Sequence, residues 1–262
     1  MSKELVIQNL TYQPSKYTDE ILKQISEHFY ENNFYAILGP NGSGKTTLIR
    51  HLLGLIRVQK GNILLHGNEI KNLKKKELAT SISFVPQNTY IDADFTVHDI
   101  VAMGRNPYQK RFQDISSEDE KLIQEAMENT NTLKLKEKRY NQLSGGEAQR
   151  VLVARAITQD TPWMILDEPI SHLDIKHQIE LMETLKRLNE TKKKTVITIL
   201  HDLNIAACYC NKVVLMKSGE IFRAGDTNDV MNCENLKEVY GIEFQRITNE
   251  FDHKVYYVPC MQ

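Results

Sequence analysis

Residues 34–56 read FYAILGPNGSGKTTLIRHLLGLI, and this stretch decides the fold. Phe34 to Leu38 is an unbroken apolar run, the pattern of a strand buried on both faces. From Thr47 onward, Leu48, Ile49, Leu52, Leu53 and Ile56 recur at helical spacing. Between strand and helix lie Gly39, Pro40, Asn41, Gly42, Ser43, Gly44, Lys45 and Thr46, which satisfy G-x-x-x-x-G-K-[ST] in its required context. The glycines let the loop wrap tightly, so that backbone N–H groups face the α- and β-phosphates of a nucleotide. Lys45 supplies a cation for the β- and γ-phosphates, and the Thr46 hydroxyl a ligand for Mg²⁺. Thr47 caps the same turn and reaches toward the α-phosphate.

Such a loop needs a carboxylate to hold the metal's water shell. Asp167 ends the apolar run Trp163–Leu166, where an acidic residue would sit at the C-terminal edge of a strand. Glu168 follows directly and suits the polarisation of an attacking water. An isolated Asp-Glu pair at a strand end is ordinarily surface decoration. The phosphate loop is what gives this one a catalytic reading.

The remainder of the chain alternates short apolar runs with helical patterns, which is α/β organisation. Leu5–Ile7 and Thr195–Leu200 read as strands, Gly61–Ile70 as a strand and a tight turn, and Lys212–Gly225 as two strands around a Ser218-Gly219 turn. From about Thr89 to Asp160 the pattern is helical instead, and one helix there opens on a capping box between Ser117 and Glu120. The expected partition is a core of residues 1–88 and 161–227, a helical lobe of 89–160, and a C-terminal extension of 228–262.

With 262 residues, 41% of them hydrophobic, there is ample material for a core, and a net charge of −1 gives no global basic field for nucleic acid. No apolar run approaches the roughly 20 residues that span a bilayer. Cys208, Cys210, Cys233 and Cys260 lack zinc-site spacing, and scattered thiols without a signal peptide point to the cytosol. A second Gly-rich helix start, LSGGEAQR at Leu143–Arg150, aims backbone amides at a phosphate but carries no lysine to neutralise one.

In this order and spacing the motifs resemble the ATPase subunits of ABC transporters, over roughly Leu5 to Gly225. Walker A is GPNGSGKT, Walker B is WMILDEP, and the signature is Leu143, Ser144, Gly145, Gly146 and Glu147. The Q-loop glutamine would be Gln87, the D-loop Ser171 to Asp174, and the switch histidine His201. The resemblance implies a P-loop NTPase (RecA-like) α/β core with a small antiparallel β subdomain and an inserted helical subdomain. It implies ATP and Mg²⁺ as ligands, with Thr46, Gln87 and Asp167 around the metal and Glu168, Gln87 and His201 in catalysis. It further implies a head-to-tail dimer in which the signature of one copy closes over ATP on the other's Walker A, so that Lys45 of one copy serves the other's signature. Asp174 would reach across that dimer. An adenine platform is expected from Tyr17, with Tyr12 as the other candidate. The signature continues EAQR where the family often has QRQR or QQQR, and Ile170 follows Walker B where threonine is frequent. Neither change removes a catalytic group.

FTVHDIVAMGRNPY, Phe95–Tyr108, together with PISHLDIKHQIEL, is similar to importer ATPases for iron–siderophore, haem and vitamin B12. By that resemblance Gln87–Tyr108 receives a membrane permease, the chain lies on the inner face of the cell membrane, and an extracytoplasmic binding protein acts at one remove. Gly104 would allow a break after the helix, Pro107 would forbid its continuation, and Arg105 would pair with an acidic group or a carbonyl. The alternatives are another importer, a separate-chain exporter, or a soluble ABC ATPase on nucleic acid or ribosomes. The last conflicts with the single cassette and the absence of sustained heptads.

Overall fold

The computed structural model describes residues 4–87, 94–109, 114–251 and 253–260. Its contacts divide the chain into two units, Met1–Leu73 with Thr195–Gln262, and Lys74–Lys194. The first unit opens with β1 (Glu4–Tyr12), β2 (Leu22–Tyr30), β3 (Phe34–Leu38), α1 (Lys45–Leu52), β4 (Lys60–Leu65) and β5 (Asn68–Glu69). The second unit holds α2 (Lys75–Ser81), β6 (Ile82–Val85), α3 (Val97–Ala102), α4 (Ser117–Asn129), α5 (Gly145–Thr158), β7 (Trp163–Asp167) and α6 (Ile175–Lys192). The chain then returns to the first unit as β8 (Thr195–Ile199), α7 (Leu203–Tyr209), β9 (Lys212–Lys217), β10 (Glu220–Asp226), α8 (Thr227–Val230), α9 (Cys233–Tyr240), β11 (Phe244–Thr248) and β12 (Val255–Pro259).

Within the first unit, β3 runs parallel to both β8 and β9, and β10 closes one side antiparallel to β9. Every residue of β3 and β8 is buried, which is why both read as continuous apolar or β-branched runs. A second sheet, ordered β2-β1-β4-β5, is antiparallel throughout. Two tight hairpins use left-handed pairs, His66-Gly67 (φ 51° and 81°) and Ser218-Gly219 (φ 49° and 88°), as the sequence suggested. Sequence reading missed β2. Its buried residues Leu22, Ile25 and Phe29 do not keep period two, because the pairing shifts register beside Gln24, held at φ 50°. The C-terminal extension is packed: Leu236, Val239 and Tyr257 are buried, and the Tyr257 hydroxyl donates to the Met231 carbonyl.

Within the second unit, β6 and β7 pair in parallel, and α3, α4 and α5 bury Val97, Ile100, Val101, Ile123, Ala126, Met127 and Val151. The cap of α4 falls one residue earlier than the sequence suggested. Ser116 Oγ accepts from the Asp119 amide at 3.1 Å, so Asp119 takes the position assigned to Glu120. α3 ends at Ala102, just before Gly104, and Gly104 has a second constraint: a Cβ there would run into the Arg155 carbonyl of α5. Among the described residues no helix is long and apolar enough to cross a membrane.

Candidate active site

The first unit carries the phosphate loop between β3 and α1. A Cβ on Gly39 would strike the Met216 carbonyl, and one on Gly44 would lie 2.9 Å from Leu22 Cδ2 and 3.0 Å from the Ile21 carbonyl. Gly39, Gly42 and Gly44 all adopt positive φ (148°, 78° and 99°), and Gly44 is the N-cap of α1. Asn41 and Gly42 are exposed, whereas Ser43 and Lys45 are buried. The Lys45 ammonium donates to the carbonyl oxygens of Gly39 and Pro40, 2.9 Å each, which holds the cation inside the loop. Ser43 Oγ is buried with no hydrogen-bond partner among the described residues. A glycine-lined cradle, a buried ammonium and an orphaned hydroxyl fit an anion. Thr46 and Thr47 are half-buried at the first turn of α1.

Other expected residues of this unit are less enclosed. His201 is exposed just beyond β8. The Tyr17 ring is 98% exposed, while its backbone is tied down by the Ser15 hydroxyl, which accepts from its amide at 3.1 Å. Tyr12 is already occupied, packing against His51 at 4.7 Å between ring centroids and an interplanar angle of 70°. An uncovered ring suits stacking on a base, and an engaged one does not.

The second unit brings Gln87 to Glu168. Gln87 Nε2 donates to Glu168 Oε2 at 2.6 Å. Asp167 is buried at the end of β7, and Glu168 sits at φ 51°, a left-handed conformation unusual for a residue with a side chain. Ser171 pins that turn, donating from both its amide (3.3 Å) and its hydroxyl (3.0 Å) to the Glu168 carbonyl. Ser144 caps α5 in a reciprocal box: its amide donates to Glu147 Oε2 at 2.9 Å, and the Glu147 amide donates to Ser144 Oγ at 3.3 Å. The Ser144 amide, more than any other group, holds the Glu147 carboxyl below its ordinary range. Leu143 is half-buried, Ser144 and Gly145 are exposed, and a Cβ on Gly145 would meet nothing. Asp174 caps α6, accepting from the His177 amide at 3.0 Å and meeting its Nδ1 at 2.8 Å, and these contacts lower its carboxyl.

Of the expected permease region Gln87–Tyr108, residues 88–93 lie outside the described residues. Phe95 and Tyr108 are partly exposed, but Arg105 is buried. It donates to Asp119 at 2.6 Å and to the Thr158 carbonyl at 2.9 Å, and its guanidinium lies 4.1 Å from the centre of the Tyr108 ring. Pairing with an acid and a carbonyl was expected. Both groups lie inside the second unit, so the guanidinium is engaged within it. Sequence reading also passed over His51, which takes a buried place in α1 where Leu53 was expected and is held by its Nδ1 contact to the Thr47 carbonyl at 2.8 Å. Tyr240, whose hydroxyl faces Gly39, gave no local signal at all.

Among known proteins, the family described as ABC transporter matches residues 22–171. Ferric enterobactin transport ATP-binding protein FepC of Escherichia coli (strain K12) is 37% identical over 90% of this chain and 86% of its own length. Iron(3+)-hydroxamate import ATP-binding protein FhuC of Bacillus subtilis (strain 168) is 32% identical over 89% and 87%. In three dimensions, a transporter described as metal-chelate type, in an inward-facing conformation, superposes with a TM-score of 0.85, at 28% identity over 100% of this chain and 98% of that one. The dimeric bacterial ABC transporter cassette MJ0796 superposes at 0.76, with 29% identity over 85% and 98%.

Proposed function

Because this chain belongs to the ABC transporter family and is an ATPase of it, we propose that it powers the import of a metal chelate, an iron–siderophore or a cobalamin, through a separate membrane permease. The observation that carries the reading is the presence, in one chain, of a complete phosphate loop with a buried lysine and a second, solvent-exposed Gly-rich helix start with no lysine in its motif. The kinds of cargo come from the relatives, which transport ferric enterobactin, import iron(3+)-hydroxamate or, in Halobacterium salinarum, import cobalamin.

In this reading Gly39, Pro40, Asn41, Gly42, Ser43, Gly44, Lys45, Thr46 and Thr47 hold the phosphates, and Tyr17 stacks on the adenine. Mg²⁺, when bound, would supply positive charge to offset what develops on the phosphates. Thr46, Asp167 and Gln87 are the residues that would hold it, a sparse protein set that suits a metal bound largely by phosphate and water. Glu168 accepts the proton of the attacking water, and the Gln87 contact to its carboxylate orients it. His201 holds the γ-phosphate. Leu143, Ser144, Gly145, Gly146 and Glu147 of a second, head-to-tail copy close over the nucleotide, with Ser171 and Asp174 lining the same contact. ATP then stabilises the closed dimer, and hydrolysis releases it.

The core, helical lobe and extension divide at residues 88–89, 160–161 and 227–228. The permease docks along Gln87–Tyr108, which places the chain on the cytoplasmic face of the membrane, and an extracytoplasmic binding protein delivers the cargo. The test is affinity purification from membranes. Recovery of an integral permease, and chelate-stimulated ATPase activity of the reconstituted complex, are expected. Recovery of ribosomes or nucleic acid, with no membrane protein, would refute importer function.

A further inference from the structure

We propose that Tyr240 is a positioning residue for the phosphate loop: its hydroxyl steadies the Gly39 peptide in the conformation that receives phosphate. The C-terminal extension is thereby tied to nucleotide affinity. The inference rests on the reading of Gly39–Thr46 as the phosphate site.

A short chain of contacts carries it, all within the first unit. Gly39 begins the loop pressed against the Met216 carbonyl at the end of β9. The next residue, Lys217, reaches out to α9, donating to the Glu238 carbonyl at 2.7 Å and to its carboxylate at 2.5 Å. That contact seats the last turn of α9 beside the end of β9. Tyr240 closes this turn, Gly241 stops the helix at φ 75°, and the Tyr240 ring packs edge-on against Phe244 at 6.1 Å.

The hydroxyl itself is buried, and it has no hydrogen bond of normal geometry among the described residues. The Gly39 backbone amide is the polar group that faces it. Burial pushes the phenol up to about 12, against the opposing influence of that amide, so the hydroxyl is protonated and neutral. Burying an unpaired hydroxyl is unfavourable, and phenylalanine would fill the same space without that cost. The hydroxyl is therefore held at a cost that, among the groups facing it, the Gly39 amide is placed to offset. Its use lies where the Gly39 peptide tightens around phosphate and the amide donates to the phenol oxygen.

The test compares Tyr240→Phe with wild type, measuring both thermal unfolding and the Kd for ATP with Mg²⁺. Tyr257→Phe controls for the extension, because it removes a hydroxyl that does have a partner, the Met231 carbonyl. Lys45→Ala controls for the loop. Tyr240→Phe is expected to keep or raise the melting temperature while weakening ATP binding about tenfold, the scale of one hydrogen bond. Tyr257→Phe is expected to lower the melting temperature and leave the Kd within about twofold. A Kd for Tyr240→Phe within about twofold of wild type would overturn the proposal. So would an equal loss of affinity in Tyr257→Phe. ATP binding that is indifferent to Lys45→Ala would overturn the phosphate-loop reading itself, and this inference with it.

Discussion

Two glycine-rich loops open helices in this molecule, and they are built to opposite specifications. The loop before α1 is enclosed: its glycines at 39 and 44 are forced by neighbours, and Lys45 is buried against the loop's own carbonyls. The loop before α5 is open, with Gly145 facing empty space and Ser144 and Glu147 satisfying each other. One helix start buries a lysine of its own motif, and the other offers exposed amides with no lysine in the motif. The difference teaches that the first can recruit a polyphosphate alone. In the proposed reading, the second meets an anion already neutralised by another chain's Lys45.

The comparison breaks most sharply at the enclosed loop. Lys45→Ala removes the ammonium buried in the enclosed loop, and we expect ATP affinity to fall by about a hundredfold or more, read by calorimetry. Glu168→Gln keeps the loop and its ligand but removes the carboxylate proposed to accept the proton, so turnover should fall at least about a hundredfold with binding retained. Near-normal turnover would remove Glu168 from its assigned role.

The open loop is tested by bulk. Ser144→Arg breaks the capping box and fills the space above Gly145. In a Glu168→Gln background it should leave ATP binding to the monomer largely intact while abolishing the ATP-dependent dimer peak in size-exclusion chromatography. An unchanged dimer peak would show that the signature does not meet a second copy.

A smaller effect concerns what holds the open loop's helix. Arg105 hydrogen-bonds the Thr158 carbonyl at the far end of α5, and its charge is balanced by Asp119. Desolvation pulls the Asp119 carboxyl upward, but hydrogen bonds from Arg105 and Ser116 outweigh it and leave it lowered. Arg105→Glu sets two carboxylates in this largely buried place and should cost about 3 kcal/mol of stability, seen in thermal unfolding. Arg105→Lys, which keeps the charge but not the planar fork, should lose less. Equal melting temperatures for wild type and Arg105→Glu would mean that this brace is dispensable.

How far these features were legible in the sequence follows from their range. The phosphate loop, β3, β7, β8 and both tight hairpins were readable because strand, turn chemistry and helix lie side by side in the chain. Ser144 could be read as a helix start for the same reason. Arg105 could be read as paired, but not as enclosed, because Thr158 lies at the far end of another helix. β2 was hidden by the register shift at Gln24, which removes the alternation that marks a strand. Tyr240 was invisible because its relation to Gly39 exists only after two hundred residues of chain have folded between them.

The last contrast lies inside the two helices. The buried polar residues of α5 are Gln149 and Thr158, which do not titrate, whereas α1 buries His51 along with Lys45. Burial depresses the His51 pKa from 6.5, opposed by the Thr47 carbonyl, and its Nε2 has no hydrogen-bond partner among the described residues. The folded chain therefore takes up a proton at this site less readily than the unfolded chain. Stability from neutral His51 is fully present above about pH 6.5 and declines as pH falls through that value toward the depressed one. His51→Leu, which keeps the volume and removes the proton site, should match wild type near pH 7.5 and lose less melting temperature by pH 5.5. The exposed pairs of His28 with Glu4, His66 with Glu31, His98 with Glu120 and His177 with Asp174 are common to both proteins, so they cancel in the difference. Parallel pH profiles would show that the helix behind the phosphate loop carries no proton-linked cost. A shallower profile in the variant would separate it from the helix behind the signature, which contains no histidine.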